Sequence, residues 1–402
     1  ASVNENLTVG GSLSVHSSAN ADAITTADAS ATDSDIGIGA AVSVNKVDVV
    51  NRASVAAGKT VDAAGVEFVA DMASRTGETT PVHTFTAEST SGVGAESVGV
   101  AGSFALNLAD ATAEAVVPGT STVQADGNLS LEAANTVTAQ ALAKANSDTP
   151  GADAGIGASV GLNIVDIETR AEVKDGAILT NTGDLSLTAT TTPTVETLAE
   201  AGASGGVAIG GAVAITIADV DTVARVGTGS TTSFTGDLAM SASQENGTVK
   251  STADGTVTDA EDVGIGAAVA LTFGHDRVLA ETDRVLSGTG TGDSSISAKA
   301  VAKRESIAKA SAAGAEDSSS DPDNDEANEQ TGSQRTFAEG AADDGDAGTE
   351  DPGSDTGDTP EMSAEDGPVG IGAAVGVTIA DVSAQASVNE NLTVGGSLSV
   401  HS

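Results

Sequence analysis

Carboxylates are the only reactive side chains this sequence supplies in quantity, and clustered carboxylates suit hard cations. Asp321, Asp323 and Asp325 have the alternate spacing that opens a calcium loop. Glu326 stands where an EF-hand loop needs Gly, and Gly332 where it needs its last Glu. These three residues are the calcium candidates of the chain. A second set recurs along the sequence as a column: Asp48, Asp110, Asp166, Asp219 and Asp381, with His275 in the matching fifth place. Asp in such a column is expected to cap turns. Zinc would require Cys or clustered His, whereas the chain has no Cys and only four His. His16 is expected at an outward strand position, His401 is its repeat copy, and His275 is expected to be a polar turn residue. There is no GxSxG elbow and no Ser/His/Asp order. The glycines of GIGAA lie in a strand pattern with no Lys and no following helix, unlike a phosphate loop. No catalytic residue is expected, and calcium is the one cofactor to consider. Sequons at Asn6, Asn128 and Asn246 are potential glycosylation acceptors.

Composition narrows the partners. Fifty-eight acidic and 16 basic side chains give a net charge of −42. Nucleic acid is excluded as a partner because it needs a basic footprint, and an anionic bilayer would repel the chain. No apolar run is long enough to span a membrane as a helix. The acidity suits high salt, which screens self-repulsion (a halophilic trait). Without Trp or Tyr, and with six Phe, no aromatic-centred core can form. Ala, Val, Ile, Leu and 48 Gly favour thin, closely stacked sheets.

The elements that must position these groups form a repeat. Residues 1–17 and 386–402 are identical, ASVNENLTVGGSLSVHS, an offset of 385 residues. Beginning at Ala1, the chain reads as one period of a tandem array. Within it an eight-residue Gly/Ala strand recurs from Gly37, Gly99, Gly155, Ala208, Gly264 and Gly370, with spacings of 62, 56, 53, 56 and 106 residues. The expected organisation is 1–36 completing a preceding unit, then units 37–98, 99–154, 155–207, 208–263 and 264–369, and 370–402 opening a sixth. The 106-residue spacing contains an insertion, 316–366, with 18 acidic side chains and one basic one, Arg335. That composition predicts disorder.

Each Gly/Ala strand is followed by Asn or Thr (Asn45, Asn107, Asn163, Thr216, Thr272, Thr378), and three residues later by the Asp column. A turn and an alternating strand come next, as in DGNLSLEA ending at Ala133, and then an Ala-alternating strand through Ala139, Ala141, Ala143 and Ala145. In GIGAAVSV, Ile38, Ala40, Val42 and Val44 are expected to be the core stripe. Gly37, Gly39, Ala41 and Ser43 are expected to form a face another backbone could approach.

The GxLxVxA signature resembles the rungs of filamentous-haemagglutinin-like and autotransporter-type adhesins, and the Gly/Ala strand, GIGAAVSVN at 37–45, is similar to repeats of large bacterial filamentous adhesins. The resemblance implies an all-β solenoid (a parallel β-helix) built from six degenerate repeats of about 52–62 residues, displayed outside the cell. Two coils of about 25 residues per unit are expected, about 6 nm per period at about 4.8 Å per coil. Members of the Asp column would then lie about 10 Å apart, too far to share an ion. A row of antiparallel β-sandwich modules is the alternative. The expected role is a structural spacer in an extracellular or cell-surface filament, with further copies of the repeat as partners. The alternative is an adhesin that engages glycans, cations or another cell through its flank or acidic loop.

Overall fold

The computed structural model describes residues 1–402 apart from 78–79, 148–151, 182, 315–361 and 367–368. Among the described residues the chain is all strand and turn, without a helix. In the first half, β1 (Ser2–Val3), β2 (Leu7–Ala19), β3 (Asp22–Val55), β4 (Thr60–Met72) and β5 (His83–Val117) lead to β6 (Thr122–Ala125), β7 (Leu129–Ser147), β8 (Ala154–Val173) and β9 (Ile178–Asn181). In the second, β10 (Leu185–Val226), β11 (Thr232–Phe234), β12 (Leu238–Thr282), β13 (Leu286–Gly288) and β14 (Ser294–Gly314) precede β15 (Met362–Asp366), β16 (Val369–Val388), β17 (Leu392–Thr393) and β18 (Leu398–His401).

Every strand pairing among the described residues is parallel. This removes the antiparallel sandwich alternative. Four strands close a parallel ring, β5–β7–β10–β8: the first halves of β5 and β10 flank β7, and their second halves flank β8.

The register follows the repeat. Asn45 pairs with Asn107, Asn107 with Asn163, Asn163 with Thr216, Thr216 with Thr272, and Thr272 with Thr378. Partners are therefore separated by the spacings of the Gly/Ala strands. Each unit contributes one layer of pairing and not two, because strands this long use the whole unit to come back into register. At about 4.8 Å per layer, six layers measure about 3 nm, half the expected rise.

The interior tapers. At its wide end Phe68, Leu129, Leu131, Leu185, Leu187, Leu238 and Met240 are almost fully buried, the inward half of the alternating strands. At its narrow end Ala199, Ala201, Ala212, Ala214, Ala253 and Ala268 form an alanine core. Here the Gly/Ala segments and the Ala-alternating segments face one another, with Ser89 Oγ 2.7 Å from Ser103 Oγ across the gap.

This arrangement reverses the expected faces of the Gly/Ala strand. Gly37, Gly39, Ala41 and Ser43 point inward and are buried, whereas Ile38, Val42 and Val44 are 70%, 62% and 50% exposed. Backbone proximity dictates the choice. A Cβ on Gly157 would lie 2.2 Å from the carbonyl oxygen of Gly202, and one on Gly266 2.2 Å from that of Ser311. Only the small-residue face fits against the opposite layer, so the branched side chains turn outward.

Candidate functional site

Three ladders of polar side chains run across the layers, and each follows from the register. The first is internal. Asn45 Nδ2 donates to Asn107 Oδ1 at 2.9 Å, and Asn107 Nδ2 donates to Asn163 Oδ1 at 3.0 Å. Asn45 and Asn163 also donate across the gap, to the carbonyls of Ala23 and Ala139, each at 2.9 Å. Hydroxyls then take over. Ser251 Oγ donates to Thr216 Oγ1 at 2.7 Å and receives Thr272 Oγ1 at 2.9 Å; Ser306 Oγ donates to Thr272 Oγ1 at 2.9 Å and receives Thr378 Oγ1 at 2.8 Å. Asn107, Asn163, Thr216 and Thr272 are completely buried, where an unpaired polar group would be costly. The ladder satisfies each one through its neighbours and so ties both layers together.

The second ladder caps the turns. Asn128 Oδ1 accepts the Asp184 backbone N–H at 2.9 Å, and Asp184 Oδ1 accepts that of Asp237 at 2.9 Å. Asp237 Oδ1 accepts that of Asp293 and Asp293 Oδ1 that of Ser397, both at 2.8 Å. The residue between Gly and the alternating strand thus holds the same turn of the next unit. The sequence signal was the recurring Gly-Asn-Leu and Gly-Asp-Leu. Asn128, one of the sequon residues, also donates Nδ2 to Asp184 Oδ2 at 3.0 Å, and Asn6 Oδ1 accepts the Thr60 N–H at 3.0 Å. Asn246 adopts a positive φ of 49° in β12.

The third ladder is the Asp column, and it differs from expectation. Asp48, Asp110, Asp166, Asp219, His275 and Asp381 lie within strands and not in turns, and they are paired in that order as immediate neighbours. They are one layer apart, about 4.8 Å, and face outward. Partial burial, then the neighbouring Asp110 and Glu168, push the Asp166 carboxyl up to about 6. Asp110 is raised by burial and by Asp48 and Glu168. His275 Nδ1 lies 3.0 Å from Asp219 Oδ1, and Nε2 lies 3.9 Å from Asp381 Oδ2. The bond to Asp219 raises its pKa. The histidine separates the four successive Asp residues from the fifth, Asp381. Among the described residues no group of three or more acidic or imidazole side chains converges in a geometry that could hold a metal ion. The calcium candidates Asp321, Asp323 and Asp325 lie outside the described residues. So does the acidic insertion 316–366, except for its last five residues, which form β15 and pair with β14.

Beside the ladder lies an ion-pair band that spacing alone did not reveal. Arg225, 20% exposed, contacts Glu172 at 3.1 Å, Asp175 at 3.1 Å, Glu281 at 2.9 Å and Asp283 at 2.6 Å. Arg170 and Arg277 share Asp221. Arg284 is buried and donates to the carbonyls of Gly227 at 2.6 Å and Ala177 at 2.9 Å; burial lowers its pKa. Arg304 and Asp276 form a buried pair, with Gln244 donating to the same carboxylate. Of the histidines, His16 is exposed and paired with Asp71 at 2.9 Å. His83 is buried and stacked on Phe85, and its Nδ1 accepts the Ala21 N–H at 2.9 Å. Burial lowers its pKa.

These groups bond to one another or face solvent in rows; chemically, the arrangement holds layers together. Comparison with protein-family models, with curated proteins and with solved structures finds no match.

Proposed function

We propose that this chain is a β-solenoid structural repeat, a mechanical spacer in a long extracellular filament or cell-surface stalk whose partners are further copies of the repeat. The observation that carries this reading is the coincidence of register with repeat. Equivalent positions of successive units meet in each described layer, from the Asn/Thr seam inside to the Asp column with its one His outside. A chain built in this way gains stability by adding neighbours, and its length is set by the number of units. The buried polar groups of the seam serve cohesion between layers. The adhesin reading rests on the acidic insertion and draws no support from the described surface.

The test is to double the period. Two joined periods should extend the maximum dimension in small-angle X-ray scattering by about 3 nm, from six layers at about 4.8 Å, with an unchanged cross-section. A particle that grows equally in all directions would refute the solenoid.

A further inference from the structure

Among the described residues nothing covers the outward face of the Gly/Ala sheet, which is apolar apart from Lys46 at its margin. Its rows are set by the register. Ala40, Gly102, Ala158, Gly211, Ala267 and Ala373 align side by side and leave a shallow groove across six strands. A Cβ on Gly211 would meet nothing within 4 Å, and the nearest atom for Gly102 is 3.8 Å away. A ridge through Ile156, Ile209 and Ile265 runs along one side of the groove, and a ridge through Val160, Val213 and Val269 along the other. Further apolar rows follow on each side, until the Asp column closes one edge.

From Ile36 to Lys46, ten steps along the strand, and across six strands, the face measures about 33 by 24 Å, or about 800 Å². Exposed apolar patches on monomers run to about 300–600 Å², whereas a standard interface buries about 800 Å² per partner. The area therefore matches one side of a stable dimer.

We propose that this face packs against the same face of a second copy of this chain, with the Val160–Val213–Val269 ridge of each copy seated in the other's groove. A two-fold axis between groove and ridge overlays the apolar rows of the two copies on one another. It also sends the two Asp columns to opposite rims, where they do not oppose each other. Self-complementarity of ridge and groove is what selects a like chain. An anionic bilayer is disfavoured by the net charge of −42. The inference rests on the structural-repeat reading only in taking the partner to be a like chain, and it places contact on the flank and not at the ends.

Sedimentation velocity of the full chain between 1 and 50 µM tests it, alongside two variants, Gly211→Leu with Ala158→Leu to fill the groove, and Val213→Glu to charge the ridge. Both change outward positions, and circular dichroism verifies that they fold. The wild type should be dimeric, and at least one folded variant monomeric, with dissociation at least tenfold easier. A monomeric wild type overturns the proposal, and so does a dimer that survives both variants. Loss of association only on Ala380→Pro in the edge strand β16 would also overturn it, by showing end-on pairing. Binding to neutral phosphatidylcholine vesicles in place of dimerisation would do the same. A monomer that scatters as a rod would remove this interface while leaving the spacer reading intact.

Discussion

Gly157 faces Gly202 so closely that a Cβ on Gly157 would lie 2.2 Å from the Gly202 carbonyl oxygen. The obstacle is backbone, which cannot rotate away. Gly157→Val should therefore force the two layers apart and cost about 3 kcal/mol or more. Gly211, one strand over on the opposite face, has open space where its Cβ would be. Gly211→Ala should be neutral or stabilise by up to about 1 kcal/mol, by restricting the unfolded chain. Urea denaturation of the pair is the check, and equal effects would refute the assignment of inner and outer faces.

The Asn seam makes a different prediction. Asn107 accepts from Asn45 and donates to Asn163 while completely buried. Asn107→Leu keeps the volume but strands both neighbours, so a loss of about 2–4 kcal/mol is expected. Asn107→Thr should lose less, because a hydroxyl already fills the equivalent place at Thr216 and Thr272. Hydrogen exchange should report the loss in the layers of Asn45 and Asn163 as well as in that of Asn107.

How much of this was legible in the sequence follows from what each pattern encodes. The spacing of the Gly/Ala strands appears unchanged as the pairing register, because strands paired unit to unit must repeat at the unit's length. Strict alternation in LSLEA marks a strand with one buried face, and Leu129 and Leu131 are on that face. In GIGAAVSV the same period divides the residues into two faces without saying which is inner. That is decided by the distance to the opposite layer, which depends on where Ala139 to Ala145 pack. The Asp column was legible as a recurrence but not as a contact, since two layers per unit would have separated its members by about 10 Å. The capping ladder through Asn128, Asp184 and Asp237 went unassigned because the recurring Gly-Asn-Leu and Gly-Asp-Leu mark a local turn without showing that the side chain reaches the turn of the following unit.

The Asp column makes stability depend on pH. Asp166, with its carboxyl pushed up to about 6, holds a proton that an unfolded carboxyl near about 3.9 has already released. Between those values the folded state binds more protons, so stability falls as pH rises through about 4 to 6. His275, raised by its bond to Asp219, contributes stability that is present below the ordinary imidazole value and lost as pH rises through its higher folded value. Both groups slope the same way. Asp166→Asn should stabilise the chain at pH 7.5, by about 1 kcal/mol after solvent screening, and have little effect at pH 3.5. Melting temperatures across that range decide it, and a pH-independent difference would remove Asp166 as the source.

The last prediction concerns Arg225, whose guanidinium bonds Glu172, Asp175, Glu281 and Asp283 together. Burial opposes its charge, but its bonds to Asp283 and Glu172 outweigh that cost and hold the guanidinium above its ordinary pKa. Arg225→Met leaves four carboxylates, two from each of the units on either side of its own, facing one another, so the loss includes their repulsion as well as the missing bonds. About 2–4 kcal/mol is expected, at the lower edge of what breaking a buried pair costs because the site is partly exposed. Arg225→Lys retains the charge without the forked geometry and should lose about half as much. Salt separates the two contributions. In 1 M NaCl the deficit of the Met variant should shrink, because screening acts on the repulsion, whereas that of the Lys variant should change less. Urea denaturation at both ionic strengths reads this directly, and a Met variant within about 0.5 kcal/mol of wild type at low salt would mean that the band does not hold the layers together.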